Sequence, residues 1–249
     1  MRRRFFVPQF DGDSASLQGD AAQHLGKVLR AEPGQLYELS DGREVWLGRV
    51  ERVERDRVEF ALVEKLPARE SRLQLSLLLA IIKFDRFEWA IEKATELGAW
   101  EITPLASARS EKALIAAAPK RAARWEKVLV EAAQQSRRLR PPVLRALARP
   151  HEAFAQAASL GEEAGQKPLL VFCAEDATAP PLREVLAGST RESTRQATLA
   201  IGPEGGWTPE ESAAARAAGF AESSLGPQIL RTETAVIAAL AAFHYALGD

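Results

Sequence analysis

The chain has 249 residues, of which 46% are hydrophobic, and a net charge near −1; that allows one or two globular domains and gives no bulk positive charge to announce a nucleic-acid partner. No apolar run approaches the roughly 18 residues that span a bilayer, and the opening MRRRFFVPQF lacks the long apolar region of a secretory leader. The single cysteine, Cys173, excludes an intramolecular disulfide framework and a cysteine-rich metal site, and a reducing cytoplasm suits it.

The first seventy residues read as β-rich. DAAQHLGKVLRAEPG is a short helix with Asp20 and Gln23 as a capping box and Pro33-Gly34 as its stop. Asp41-Gly42 is a hairpin turn. Val45, Leu47, Val50 and Val53 alternate imperfectly with charged residues, whereas Val58, Phe60 and Leu62 keep a period of two. A small barrel-like module with one helix is expected, closed by the polar linker KLPARESRLQL.

From Leu73 the pattern alternates strand and helix. LQLSLLLAII is a buried strand, and DRFEWAIEKATELG a helix capped by Asp85 and stopped by Gly98. WEITPLAS is a strand, and PKRAARWEKVLVEAAQQSRRLRPP a long helix running to Pro141-Pro142. HEAFAQAASLG, PPLREVLAG and PEESAAARAAG are helices; PLLVFCAED, ATLAIGPEGG and ESSLG are strands. Such alternation predicts a mostly parallel sheet covered on both faces. Cys173 reads as a small buried hydrophobe of one of these strands. The last helix, TETAVIAALAAFHYALGD, is apolar nearly all round, through Val236, Ile237, Leu240, Phe243 and Leu247; a second copy of the chain is the simplest cover for its outer side, and His244 within it is a packing residue.

Familiar nucleotide, hydrolase and metal motifs are missing, and the three histidines stand in unrelated contexts, so no metal site is expected. Two glycine corners stand out instead. In TLAIGPEGGWTPEE a buried strand ends at Gly202 and a helix begins at Thr208, with Pro209 in its first turn and Glu211 closing a capping box. In SSLGPQILRTETA a short strand ends at Leu225-Gly226 and the last helix begins near Arg231. Each corner is either a tight turn or a place where a ligand approaches the backbone at the end of a strand. Arg231 beside Thr232 and Thr234 offers donors to an anion, or pairs with a glutamate to pin the helix start.

IGPEGGWTPEE followed by LGPQILRTETA resembles the C-terminal signature of the bacterial 16S ribosomal RNA uridine-N3 methyltransferases, the small-subunit methyltransferase E family of the SPOUT class. KFDRFEWAIEKATELGAWEITPLASARS, RWEKVLVEAAQQSRRLRPP and HLGKVLR extend the resemblance over nearly the whole chain. It implies an α/β fold: a SPOUT-type parallel sheet with a C-terminal trefoil knot over residues 71–249, preceded by a PUA-like β-barrel RNA-binding domain over residues 1–70. It implies S-adenosylmethionine as methyl donor, held by Ile201, Gly202, Glu204, Gly205 and Gly206 on one side and by Leu225, Gly226, Ile229, Leu230, Arg231 and Thr234 on the other. Gln228 replaces the family's usual arginine, and FCAED its usual proline-glutamate.

That family's chemistry needs an unpaired or flipped uracil whose N3 proton leaves and whose developing imide charge meets a cation. Arg109 and Arg231 are the candidate cations and Glu204 the candidate proton acceptor. The expected partner is 16S ribosomal RNA within the small subunit. Residues 71–150 carry 15 Lys and Arg against 8 Asp and Glu, while 151–249 carry 6 against 13, so the basic excess lies in the middle of the chain. Lys120, Arg121, Arg124 and Lys127 fall at helical spacing, and Arg137, Arg138 and Arg140 close the same helix. Of these, Arg124, Arg138 and Arg140 are candidate phosphate contacts, joined by Arg2, Arg3, Arg4, Lys27 and Arg30; cations at a helix C-terminus also suit its dipole. Two rivals stand beside the methyltransferase: a non-catalytic RNA-binding module, and a nucleotide-binding enzyme whose glycine corners hold phosphates. Binding of S-adenosylmethionine separates all three.

Overall fold

The structure is a computed structural model that describes residues 3–163, 168–174 and 178–248. Arg2, Glu175 and Asp176, singled out above, lie outside the described residues. The chain divides into two compact units, residues 1–70 with 130–141, and residues 71–129 with 142–249.

The first unit is a five-stranded sheet in the order β1-β3-β4-β5-β2. Its elements are β1 (Arg4–Phe6), β2 (Ser14–Gln18), α1 (Gly19–Gln23), β3 (Leu36–Ser40), β4 (Val45–Val53) and β5 (Arg57–Leu66). β1 and β3 run parallel; the other pairs are antiparallel. The broken alternation of β4 has a structural cause: its register against β5 shifts between Leu47 and Gly48 and between Val50 and Arg52. Gly48 at the first shift is obligatory, because a Cβ there would collide with the Leu39 side chain. Phe5, Leu17, Leu25, Leu39, Val50, Val58 and Phe60 form the core.

The helix differs from its sequence reading. α1 begins at Gly19, with no side-chain cap, and continues as a π-helical turn over His24–Val28. Asp20 therefore sits in the first turn, and Gln23 donates to Asp56 Oδ1 at 2.6 Å instead of closing a box. Arg30, at φ 51°, ends the helical path before Pro33 is reached. The hairpin turn forms as expected, Asp41 Oδ1 accepting from the backbone N–H groups of Arg43 and Glu44.

The second unit is a six-stranded, all-parallel sheet ordered β11-β9-β10-β6-β7-β8. Its elements are β6 (Gln74–Ala80), α2 (Phe84–Glu96), β7 (Glu101–Leu105), α3 (Lys112–Ala117), α4 (Ala122–Gln135), β8 (Val143–Leu144), α5 (Pro150–Glu163), β9 (Leu169–Cys173), α6 (Leu182–Ala187), β10 (Gln196–Ile201), α7 (Pro209–Ala217), β11 (Ala221–Ser223) and α8 (Thr232–Leu247). Neighbouring residues on a central strand serve opposite cores. Leu77 and Leu79 pack with α2, α6, α8 and the first half of α4, while Leu78 packs with α5 and α7.

Helix boundaries depart from the sequence reading at three places. α2 starts at Phe84, so Asp85 is a first-turn acid and not the cap, although Gly98 does stop the helix at φ 86°. A separate short helix, α3, and a 3₁₀ turn over Ala118–Arg121 precede α4. α4 ends at Gln135, and Arg137 takes a left-handed φ of 56°, so Arg137, Arg138 and Arg140 lie beyond the helix rather than in its last turn. α8 also differs from its description as a helix wanting cover throughout. Val236, Leu240, Phe243 and Leu247 are buried within the chain itself. Thr234, Ala238, Ala241 and Tyr245 form the exposed stripe, and Ile237 is half-buried at its side. Among the described residues no helix is long and apolar enough to cross a membrane.

Candidate functional site

The C-terminal ends of β9, β10 and β11 open into a cleft, the location where parallel sheets bind ligands. Two loops form most of its wall. The first, after β10, contributes Ile201, Gly202, Pro203, Gly206 and Trp207; the second, after β11, runs from Ser224 through Leu230. Cys173, Ala174, Thr232 and Ala235 complete the wall.

Each loop is held by a small set of bonds. In the first, Gly206 N–H donates to the Pro203 carbonyl at 2.9 Å, closing a turn over Glu204 and Gly205, and Gly206 itself takes a φ of 69° that favours glycine. The Trp207 indole folds back over Gly202 and donates from Nε1 to the Cys173 carbonyl at 2.9 Å. In the second, the Ser224 hydroxyl accepts from Gly226 N–H at 3.3 Å, and Gly226 has a φ of 127°. Thr232, the first residue of α8, joins the loops: its Oγ1 donates to the Gly202 carbonyl at 3.1 Å.

α7 carries the capping box read from the sequence, Thr208 Oγ1 accepting from Glu211 N–H at 3.2 Å and Glu211 Oε2 accepting from Thr208 N–H at 2.9 Å. Glu211 has a second duty that the sequence did not disclose. Its Oε1 accepts from Ser107 Oγ and from Ala108 N–H, both at 2.8 Å, and so anchors the loop after β7. From that loop Arg109 donates Nη1 to the Gly205 carbonyl at 2.6 Å.

Ile201, Gly202, Gly206, Leu225, Gly226, Ile229 and Leu230 thus meet around one cleft, and four other residues named for the cofactor do not line it. Glu204 points away and forms an ion pair with Arg86 of α2 at 2.8 Å. Gly205 faces Arg109, whose Cβ would lie 3.3 Å from a Cβ at that position. Arg231 is the residue preceding α8, and Thr234 lies on the helix's exposed stripe. Trp207, Pro203 and Arg86 were missed, and Thr232, named as an anion donor, instead donates to the Gly202 carbonyl. Trp207 had a signal, a large aromatic beside two glycines; Arg86, which also stands 3.9 Å from Glu233, had none.

The wall is uncharged and mixes apolar side chains with polar groups of Ser224, Gln228, Thr232 and the loop backbone. Among the described residues that line it there is no Lys, Arg, His, Asp or Glu side chain. The Cys173 thiol belongs to this wall, and desolvation pushes it up to about 12, which makes it inert as a nucleophile.

Several arginines assigned to RNA are committed elsewhere. Arg4 is buried; it donates from Nε and Nη2 to Glu38 Oε2 at 3.1 and 2.9 Å, and from Nη1 to the Arg137 carbonyl at 2.6 Å. It is an internal pin of the first unit, not a surface contact. Arg124 grips Glu88 through a bidentate pair with bonds of 2.7 and 2.8 Å, and Arg140 pairs with Glu70 at 2.9 Å. Burial pushes the Arg138 guanidinium down to about 10, which leaves it charged at neutral pH. Lys27 and Arg30 are exposed, with no carboxylate within ion-pair distance among the described residues.

The family of RNA methyltransferase domains matches residues 69–244. The ribosomal RNA small subunit methyltransferase E of Synechocystis is 34% identical over 88% of this chain and 68% of its own length. That of Mycobacterium bovis is 33% identical over 93% of this chain and 86% of its own. The fold matches the crystal structure of the same enzyme from Neisseria gonorrhoeae bound to S-adenosylmethionine, with a TM-score of 0.85 at 29% identity, covering 100% of this chain and 99% of that one. A putative methyltransferase from Legionella pneumophila, also in complex with that cofactor, matches with a TM-score of 0.83 at 32% identity over 100% and 99% of the two chains.

Proposed function

Given that the chain belongs to the ribosomal RNA small subunit methyltransferase E family, we propose that it is an S-adenosylmethionine-dependent methyltransferase acting on N3 of a uridine in 16S ribosomal RNA of the small subunit. The observation that carries this reading is the uncharged cleft of mixed polar and apolar lining, rimmed by two backbone-rich loops. Among the described residues the wall offers no cation to a phosphate-bearing nucleotide, whereas a sulfonium cofactor requires none. The residues present fit it: Ile201, Leu225, Ile229 and Leu230 supply apolar surface for a heterocycle, and the loop backbones supply donors and acceptors.

S-adenosylmethionine supplies an activated methyl group when bound. The chain's own residues position the acceptor and manage charge. Arg109, fixed to the Gly205 carbonyl on the rim of the first loop, offers a permanent cation to the uracil oxygens as the imide loses its proton. Arg231, at the start of α8, is the second candidate. Glu204 is the candidate acceptor for that proton, and its pairing with Arg86 must loosen for it to serve. Residues 1–70 with 130–141 act as a PUA-like RNA-binding domain, and the remainder as a SPOUT domain whose two cleft loops lie in a trefoil knot. A homodimer covers the α8 stripe of Ala238, Ala241 and Tyr245, which is 89% exposed at Tyr245. Mapping methylated positions in 16S ribosomal RNA from cells with and without the protein tests the reading. A missing N3-methyluridine in the deletion strain, restored by the gene, is expected; identical maps would refute it.

A further inference from the structure

The loop after β10 has a second face. There an open groove is lined by Ser110, Lys112, Arg149, His151, Thr208 and Glu210, among others. Lys112 and Arg149 are exposed and have no carboxylate within ion-pair distance among the described residues, unlike Arg124, Arg140 and Arg145. His151 adds a third nitrogen base, 3.9 Å from Glu152. Ser110 is buried in the wall, and its hydroxyl finds no partner among the described residues, which is costly for a buried polar group.

The acidic side chains of the groove are unequal. Glu211 is saturated by Ser107, Ala108 and Thr208. Glu210 is exposed, and its own backbone N–H, the Thr208 hydroxyl and nearby Arg109 hold its carboxyl below the usual range. One side of the groove therefore presents uncommitted cations and the other an acceptor. A simple anion would use only the first. A ribonucleotide uses both, since its phosphate is anionic while its sugar hydroxyl and base N–H groups are donors.

We propose that this groove seats one nucleotide of the RNA strand, with its phosphate against Lys112 and Arg149. Arg109 and the loop of residues 202–211 separate the groove from the cofactor cleft. The same loop lines both, with Gly202, Pro203, Gly206 and Trp207 on the cleft and Thr208, Glu210 and Glu211 on the groove, so a strand held here lies beside the cofactor cleft. This rests on the function proposed above.

The test is a filter-binding salt titration with small ribosomal subunits from cells lacking the protein. The Lys112→Gln/Arg149→Gln variant is expected to lose affinity and to reduce the slope of log K against log salt by about 0.7 for each phosphate that is no longer neutralised. Its affinity for S-adenosylmethionine by calorimetry should equal wild type. Arg183→Gln, which removes one exposed charge on α6, should leave the slope unchanged. A wild-type slope in the double variant overturns the groove while leaving the methyltransferase intact, provided wild type still methylates. A slope lowered equally by Arg183→Gln overturns it too, since the effect would then be bulk charge. Absence of wild-type binding and methylation overturns both proposals.

Discussion

Gly202→Ala is the sharpest perturbation of the cofactor cleft. A Cβ at Gly202 would lie 3.0, 3.2 and 3.3 Å from three atoms of the Trp207 indole. Those distances are a few tenths of an ångström too short, and the indole has little room to yield. Its Nε1 is bonded to the Cys173 carbonyl, and its ring packs edge-on to Phe154 with centroids 5.8 Å apart. Overpacking of this kind costs about 1–3 kcal/mol, and for a chain of this size each kcal/mol lowers Tm by about 2–4 °C. Because the indole is also cleft wall, its displacement should weaken S-adenosylmethionine binding at least tenfold, about 1.4 kcal/mol. Titration calorimetry reads the affinity and differential scanning calorimetry the Tm. Trp207→Phe, which deletes the bond to Cys173 without adding volume, should reproduce the affinity loss in part. Gly205→Ala is the control: its Cβ meets Arg109 alone, at 3.3 Å from its Cβ and further from Cδ and Cγ, and no atom of the cofactor cleft, so cofactor affinity should stay within about twofold, well under a kcal/mol. Wild-type affinity and Tm in Gly202→Ala would refute the reasoning, as would a larger loss in Gly205→Ala.

Glu211→Ala should cost about 2–4 kcal/mol in urea unfolding, since it removes a helix cap and two bonds to the β7 loop; a change under about 0.5 kcal/mol would show the carboxylate idle. The Cys173 thiol, raised to about 12 from 9.0, stays protonated in the fold after the unfolded thiol ionises. Its contribution to stability is therefore complete below about pH 9 and declines as pH rises toward 12, so the alkaline limb of the stability curve should be shallower in Cys173→Ala. Ala241→Glu, on the exposed stripe of α8, should dissociate a dimer with Tm nearly unchanged in the monomer, whereas Leu240→Glu should unfold the chain; light scattering and thermal melts distinguish the two, and a monomeric wild type at micromolar concentration would remove the dimer.

The parallel sheet was legible because its strands are continuous apolar runs, and Leu77, Leu78 and Leu79 must all be buried whichever face they serve. The start of α7 was legible because Thr208, Pro209 and Glu211 specify a cap through neighbours in sequence. Other helix starts were not. Asp20 and Asp85 are good capping residues, but the helices are entered at Gln18 and Lys83, two positions earlier, without a side-chain cap. Ionic roles were the least legible. Arg4 looks like a basic tail in MRRRFF, but its register opposite Glu38 in the neighbouring strand, and the return of residues 130–141 to the first unit, make it a buried pin. Both facts belong to pairings 34 and 133 residues apart, which local pattern does not encode.

The same limit explains why the glycine corner was read as a single wall. A stretch of ten residues, 202–211, separates two environments. Toward the cleft it shows Gly202, Pro203, Gly206 and Trp207, with no charge. Away from it, Glu204 is tied to Arg86, the Gly205 carbonyl to Arg109, and Glu211 to the β7 loop. The charges are thus used to fix the outside of the loop to α2 and to β7, which leaves the inside rigid and neutral. Rigidity matters because a cofactor held by backbone groups is positioned only as well as that backbone. Neutrality matters because a charged side chain at that depth would require a partner of its own and would compete for the ligand. The structural demand on the side chains of Glu204 and Glu211 is therefore that they bind the protein to itself, and substitutions there should be felt first in how well the cleft is held, through Tm and cofactor affinity together.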